Sequence, residues 1–176
     1  VGLGPIKINT VIKRNTNEEE ILELVERFSN REIAVRFIEF MDVGNTNGWS
    51  MDEVVSAEEI RDIIGELSTI PPSKPSDVAK KYRLPNGGEV GIISSVTEPF
   101  CNECTRARIS SDGRLFTCLF SNKGLDILSL MREGKDDSEI STVIQEYWKS
   151  RDDRYSEIRS KNSKTEDRVE MSYIGG

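Results

Sequence analysis

The sequence predicts an α/β segment that passes into an α+β region, and three observations carry this. Two β-branched apolar runs flank an amphipathic helical stretch over about thirty-five residues, the spacing of a βαβ unit. Residues 69–76 hold three of the six prolines, and beyond them the pattern changes to hairpins. All three cysteines then fall in one hairpin, followed by two amphipathic helices.

Taken in order, Ile6-Lys-Ile-Asn-Thr-Val-Ile12 alternates as a strand. It sets Lys7 and Asn9 on one face and Ile6, Ile8 and Thr10 on the other. Asn15-Thr-Asn17 supplies an N-cap, and Glu18, Glu19 and Glu20 suit the positive end of a helix. That helix runs to about Asn30, with Ile21, Leu22, Leu24, Val25 and Phe28 on its buried side. Residues 32–41 form the longest largely apolar stretch and read as a strand buried on both faces, as in a parallel sheet. Arg36 and Glu39 interrupt it. Either they pair with other groups in the core, or they face a ligand at the C-terminal ends of barrel strands, where Met41 also stands. Asp42–Gly48 is a loop. Ser56 caps a second helix carrying Ile60, Ile63, Ile64 and Leu67. The prolines of 69–76 mark a linker, and Pro85-Asn-Gly-Gly88 is a hairpin turn between strands 78–84 and 89–96. Helices follow over 125–132, with Ile127, Leu128, Leu130 and Met131, and over 138–151, with Ile140, Val143, Ile144 and Trp148. Residues 156–167 are polar.

The net charge of −7 argues against a nucleic-acid or anionic-membrane surface, so an anionic ligand needs a local basic pocket. No apolar run is long enough to span a bilayer. Three cysteines without a secretion signal fit a reducing, cytoplasmic setting. With no histidine, Ser-His and Cys-His catalysis and the H-E-x-x-H zinc site are excluded. Val1-Gly-Leu-Gly-Pro5 is neither a signal peptide nor an initiator start, and reads as the middle of a protein.

The chemistry concentrates in Phe100-Cys-Asn-Glu-Cys-Thr-Arg-Ala-Arg108 and its continuation Arg114-Leu-Phe-Thr-Cys-Leu-Phe120. Cys101 and Cys104 form a C-x2-C loop, and the turn at Ser110-Ser-Asp-Gly113 folds Cys118 back toward them. Arg106 and Arg108, two apart, face one side of a strand. Three thiolates beside two cations suggest a metal centre next to an anion site. Iron–sulfur ligation by three thiolates leaves one iron open. Zinc would need a fourth ligand such as Glu103. A disulfide or plain core thiols remain alternatives.

The pieces P-I-K-I-N, R-F-I-E-F-M-D-V-G, C-x2-C-x13-C, C-T-R-A-R, S-S-D-G, R-D-D-R-Y-S and the terminal Y-I-G-G resemble the molybdenum cofactor biosynthesis protein A (MoaA) family. Its members are radical S-adenosylmethionine enzymes, the GTP 3',8-cyclases. The resemblance runs from Pro5 to Gly176. It implies the C-terminal part of a partial (β/α)6 TIM-like barrel, residues 1–70, followed by an α+β cluster-binding region, residues 71–176. On that pattern Cys101, Cys104 and Cys118 ligate a [4Fe-4S] cluster whose open iron binds guanine. Lys7, Arg36, Arg106 and Arg108 match GTP-site residues, and Ala107 matches a backbone contact. Met41 matches a contact to the adenine of S-adenosylmethionine. Gly175 and Gly176 match a tail that enters the active site.

The resemblance implies GTP held across two parts of the fold. The family's radical-generating cluster motif, C-x3-C-x2-C, is missing, which implies a C-terminal fragment, inactive without its N-terminal part and its second [4Fe-4S] cluster. A barrel cut in this way exposes a strand edge, favouring a homodimer or local disorder. Two competing readings are a zinc-stabilised interaction module and an auxiliary iron–sulfur domain of another radical enzyme that binds peptide.

Overall fold

In the computed structural model, which describes Gly2 and residues 4–28, 33–74, 76–159 and 169–174, two compact units emerge. One comprises Val1–Met41 and Trp49–Glu103, the other Asp42–Gly48 and Cys104–Gly176.

The first unit is built on one mixed sheet. Its strands are β1 (Ile6–Ile12), β2 (Ile33–Glu39), β3 (Ser68–Ile70), β4 (Lys80–Arg83) and β5 (Glu89–Ile93), in the order β1-β2-β5-β4-β3. β1, β2 and β5 run parallel, and β4 returns antiparallel between β5 and β3. Helices α1 (Ile21–Phe28) and α2 (Ala57–Ile64) follow β1 and β2. Ile21 and Val25 of α1 and Ala57 and Ile60 of α2 pack with Ile12, Val35, Phe37, Val90 and Ile92 of the strands. The parallel strands are joined through helices because a parallel pair needs a long crossover.

The second helix forms as its cap predicts. The Ser56 hydroxyl accepts from the Glu59 amide at 3.1 Å, and the Glu59 carboxylate accepts from the Ser56 amide at 2.8 Å. Arg14 reaches Glu59 at 2.6 Å, and the Ser56 amide and then the Arg14 guanidinium hold that carboxyl below its ordinary range.

Several expectations are corrected here. Asn17 does not cap a helix: its side chain accepts from the Lys13 amide and donates to the Val11 carbonyl, and Glu18–Glu20 make a 3-10 turn before α1. Leu22 and Ile63 are exposed, because each lies beside the stripe that meets the sheet. β2 is not buried on both faces. Val35, Phe37 and Glu39 are buried under the helices, whereas Arg36 and Ile38 are half-buried on the other face. Ser68–Ile70, expected as the end of a helix and the start of a linker, is an edge strand paired with β4. The sheet therefore runs through the break expected at residue 70, because β3 and β4 extend it across the prolines. The Pro85–Gly88 hairpin forms as expected, with β4 and β5 somewhat shorter than predicted.

The second unit holds a small antiparallel sheet of β6 (Arg108–Ile109), β7 (Arg114–Phe116) and β8 (Leu125–Asp126). It also holds helices α3 (Ile127–Arg132), α4 (Asp137–Lys149) and α5 (Tyr155–Ile158). The turn at Ser110–Gly113 closes as a local hydrogen-bond knot. The Ser110 hydroxyl donates to Asp112 and accepts from the Arg114 amide at 3.0 Å. Gly113 has φ +79°, and a Cβ there would stand 2.6 Å from Leu128 Cβ, so glycine serves both conformation and packing. Leu125 and Asp126, expected in a helix, pair with β7 instead, and Asp126 caps α3. Met131 is exposed, and α4 has no fully buried residue, Trp148 being half-buried. Among the described residues of this unit, Leu115, Phe116 and Ile174 are the buried hydrophobics.

Candidate functional site

In the first unit, β1 and β2 pair so that Asn9 stands opposite Arg36 and Lys7 opposite Ala34. Register partners share a face, so Lys7, Asn9 and Arg36 lie together on the face away from the helices. Lys7 is exposed and Arg36 half-buried. Arg36 in turn stands opposite Gly91 of β5, and a Cβ on Gly91 would meet Arg36 Cγ at 3.2 Å and Ala79 Cβ at 3.3 Å. The arginine stem thus lies against the glycine. Met41 falls two residues beyond the end of β2 and is half-buried.

Of the two readings of Arg36 and Glu39, Glu39 takes the first, pairing in the core, while Arg36 lies half-buried on the opposite face of β2. Glu39 is fully buried on the helix side, where it accepts from the Ala57 amide at 2.7 Å and the Val96 amide at 2.7 Å. It also accepts from the Thr97 amide at 2.9 Å and from the Thr97 hydroxyl. It is a structural clamp that ties β2 to the start of α2 and to the loop after β5. Arg36 carries its charge on the other face.

The second unit contains Cys104, Cys118, Arg106 and Arg108. Burial pushes the Cys104 thiol up, but the Arg106 amide and guanidinium and the Arg151 charge outweigh it and hold the thiol below its ordinary value. Burial and the neighbouring Arg106 charge lower Arg108, while Cys104 and Cys118 act on it in the opposite sense. The two thiols and the two arginines therefore share one electrostatic neighbourhood. The Phe120 amide donates to Cys118 Sγ at 3.4 Å, and the adjacent Thr117 hydroxyl donates to Asp153 at 2.5 Å. Arg151 lies over the Trp148 ring at 4.4 Å.

The hairpin differs from expectation in detail. β6 begins only at Arg108, so Arg106 and the exposed Ala107 precede the strand and the two arginines do not share a strand face. Cys118 lies two residues past β7. Cys101 is a half-buried free thiol in a 3-10 turn, Cys101–Glu103, that closes the first unit, so the expected trio is divided between the units. Three cysteines outside any disulfide and no histidine suit iron–sulfur ligation chemically. Among the described residues, however, no three Cys, Asp or Glu side chains are gathered as metal ligands. Gly175 and Gly176 lie outside the described residues.

Sequence reasoning missed a second cluster in this unit. Asp42 and Arg159 form a buried ion pair at 2.8 Å, and the Tyr155 hydroxyl donates to Asp42 at 2.5 Å. Phe120 stacks on Tyr155 at 4.5 Å, and the Arg159 guanidinium lies 5.3 Å from the Phe120 ring and 5.5 Å from the Tyr155 ring. The signal available was the aspartate closing R-F-I-E-F-M-D and the R-D-D-R-Y-S motif, which no local pattern links. Among the described residues no helix is long and apolar enough to cross a membrane.

A family model described as Molybdenum Cofactor Synthesis C matches residues 33–157. The chain is similar to a GTP 3',8-cyclase of Staphylococcus carnosus, 42% identical over 97% of the chain and 53% of that relative. It is also 42% identical to a GTP 3',8-cyclase of Xanthomonas campestris, over 99% of the chain and 52% of the relative. A GTP 3',8-cyclase of Staphylococcus haemolyticus is 41% identical over 97% of the chain and 53% of its own length. The chain thus spans about half the length of the curated relatives it matches.

Proposed function

The chain belongs to the molybdenum cofactor synthesis C family, and from that membership we propose that it is the substrate-binding part of a GTP 3',8-cyclase. Such an enzyme converts GTP to (8S)-3',8-cyclo-7,8-dihydroguanosine 5'-triphosphate in molybdenum cofactor biosynthesis. The observation that carries the reading is that membership together with Cys104, Arg106, Arg108 and Cys118 falling in one compact unit. Such cations suit a triphosphate, because guanidinium groups bind phosphate oxygens in paired, charge-assisted hydrogen bonds.

In this reading Arg106, Arg108, Lys7 and Arg36 bind GTP, and the Ala107 backbone contacts it. The stem of Arg36, lying along Gly91, restricts that guanidinium before substrate arrives, which lowers the entropic cost of binding. When bound, a [4Fe-4S] cluster on Cys101, Cys104 and Cys118 supplies an open iron for the guanine ring. Met41 contacts the adenine of S-adenosylmethionine, and Gly175 and Gly176 form the tail that enters the active site. Residues 1–70, with the parallel strand β5 that continues their sheet, are the last part of a partial (β/α)6 barrel. The N-terminal part of the enzyme brings the radical-generating cluster, so this chain alone is inactive. The setting is cytoplasmic, and the β1 edge of the described sheet is where the preceding barrel strand or, in the isolated chain, a second copy would pair.

Anaerobic reconstitution with iron and sulfide tests the proposal. The expected result is a brown protein whose spectrum changes on adding GTP and not on adding a peptide. A colourless protein retaining one zinc would refute it in favour of a structural module. A brown protein that responds to peptide alone would point to an auxiliary domain of another radical enzyme.

A further inference from the structure

The segment 170–174 is attached to the rest of its unit at three places. The Glu170 carboxylate sits on the loop that carries Gly44, accepting from the Asn45 amide at 2.8 Å, with the Thr46 hydroxyl at 3.4 Å. Gly44 has φ +66°, and a Cβ there would fall 2.2 Å from Glu170 Oε2, so the seat exists only because residue 44 is glycine. The Tyr173 hydroxyl donates to Asp112 Oδ2 at 2.6 Å in the hairpin turn, and the Tyr173 ring meets Phe116 edge-on at 6.3 Å. Ile174 is fully buried. A turn with the Tyr173 amide on the Glu170 carbonyl and the Ile174 amide on the Met171 carbonyl joins these anchors.

A free segment of chain does not bury an isoleucine or share a carboxylate with a distant loop, because ordering it costs backbone entropy that only such contacts offset. Asp112 is itself fixed by the Ser110 hydroxyl and by Arg114 Nε at 3.3 Å, so Tyr173 docks onto a rigid turn. These contacts give a role to two motifs otherwise without one, the aspartate of S-S-D-G and the Tyr-Ile of the terminal Y-I-G-G.

We infer that Glu170, Tyr173 and Ile174 form a docked anchor, seated on Gly44–Thr46 and on Asp112, that fixes the point from which the terminal diglycine departs. They are positioning residues, and their relevance to GTP rests on the function proposed above. The docking itself does not.

Amide hydrogen exchange on the full chain tests it. Glu170→Ala should speed exchange of the Asn45 amide at least tenfold, and Tyr173→Phe should do the same for the Tyr173 and Ile174 amides. Gly44→Ala, which drives a methyl into the carboxylate, should release Asn45 as Glu170→Ala does. Removing Gly175 and Gly176 should leave all three amides protected while weakening GTP binding to the reconstituted protein. Unchanged exchange in Glu170→Ala and Tyr173→Phe overturns the docked anchor. Protection intact but GTP binding indifferent to loss of the diglycine supports the anchor and overturns the tail's assigned part in substrate binding.

Discussion

Replacing Glu39 separates a structural carboxylate from a catalytic one. Its two oxygens receive three backbone amides and one hydroxyl with no access to water. Glu39→Ala strands the two buried donors, the Ala57 and Val96 amides, whereas exposed Thr97 can turn its own donors to water; a buried donor without an acceptor costs about 1–3 kcal/mol. The loss is therefore at least about 2 kcal/mol, before any cavity term, against a total of roughly 5–15 kcal/mol for a domain. Glu39→Gln keeps the shape and one acceptor oxygen. It turns an amide group toward the Ala57 N–H at the start of α2, where a carboxylate was favoured, and should cost on the order of 2 kcal/mol. Urea unfolding followed by circular dichroism and tryptophan fluorescence gives both values. The expected order of stability is wild type, then Gln, then Ala, since Ala adds a cavity to the lost acceptors. A Gln variant within about 0.5 kcal/mol of wild type would refute the clamp and reopen a ligand-facing role for Glu39.

The opposite behaviour is expected of Arg36→Gln on the other face of the same strand: a change within about 0.5 kcal/mol in unfolding, with weaker GTP binding by calorimetry. Ser56→Ala removes one half of the capping box and should cost about 1 kcal/mol, read from the urea midpoint. The Ser110 hydroxyl, and then the Tyr173 hydroxyl, hold the Asp112 carboxyl below its ordinary 3.8. A depressed folded value means that the bond to Tyr173 contributes fully above that ordinary value. Its contribution is lost only as pH falls below 3.8 through the folded value. The Tyr173 side-chain resonance should hold steady at about pH 5 and shift below the aspartate range; a shift already at about pH 5 would contradict the contact.

Local patterns made much of this chain legible. Alternation placed β1 and set Lys7 and Asn9 on one face, and the S-x-x-E signal of Ser56 and Glu59 started α2 where it begins. Pro85–Gly88 and Ser110–Gly113 turned the chain where they stand, since turn chemistry is written in a few adjacent residues. The spacing of Arg106 and Arg108 was legible too, but not that the strand would begin only at Arg108. Asn17 had the composition of a cap, yet its side chain was taken by the preceding turn.

The sequence by itself determined most of the hydrophobic periods, the Ser56 cap and the turns, because each depends on neighbours within a few positions. Only the tertiary structure decided that Glu39 faces the core while Arg36 does not, that residues 68–70 add an edge strand, and that Asp42 meets Arg159. It alone seated Glu170 on Gly44. A charge embedded in an apolar run carries no mark of its partner, and the donors that satisfy it come from chain segments far away in sequence.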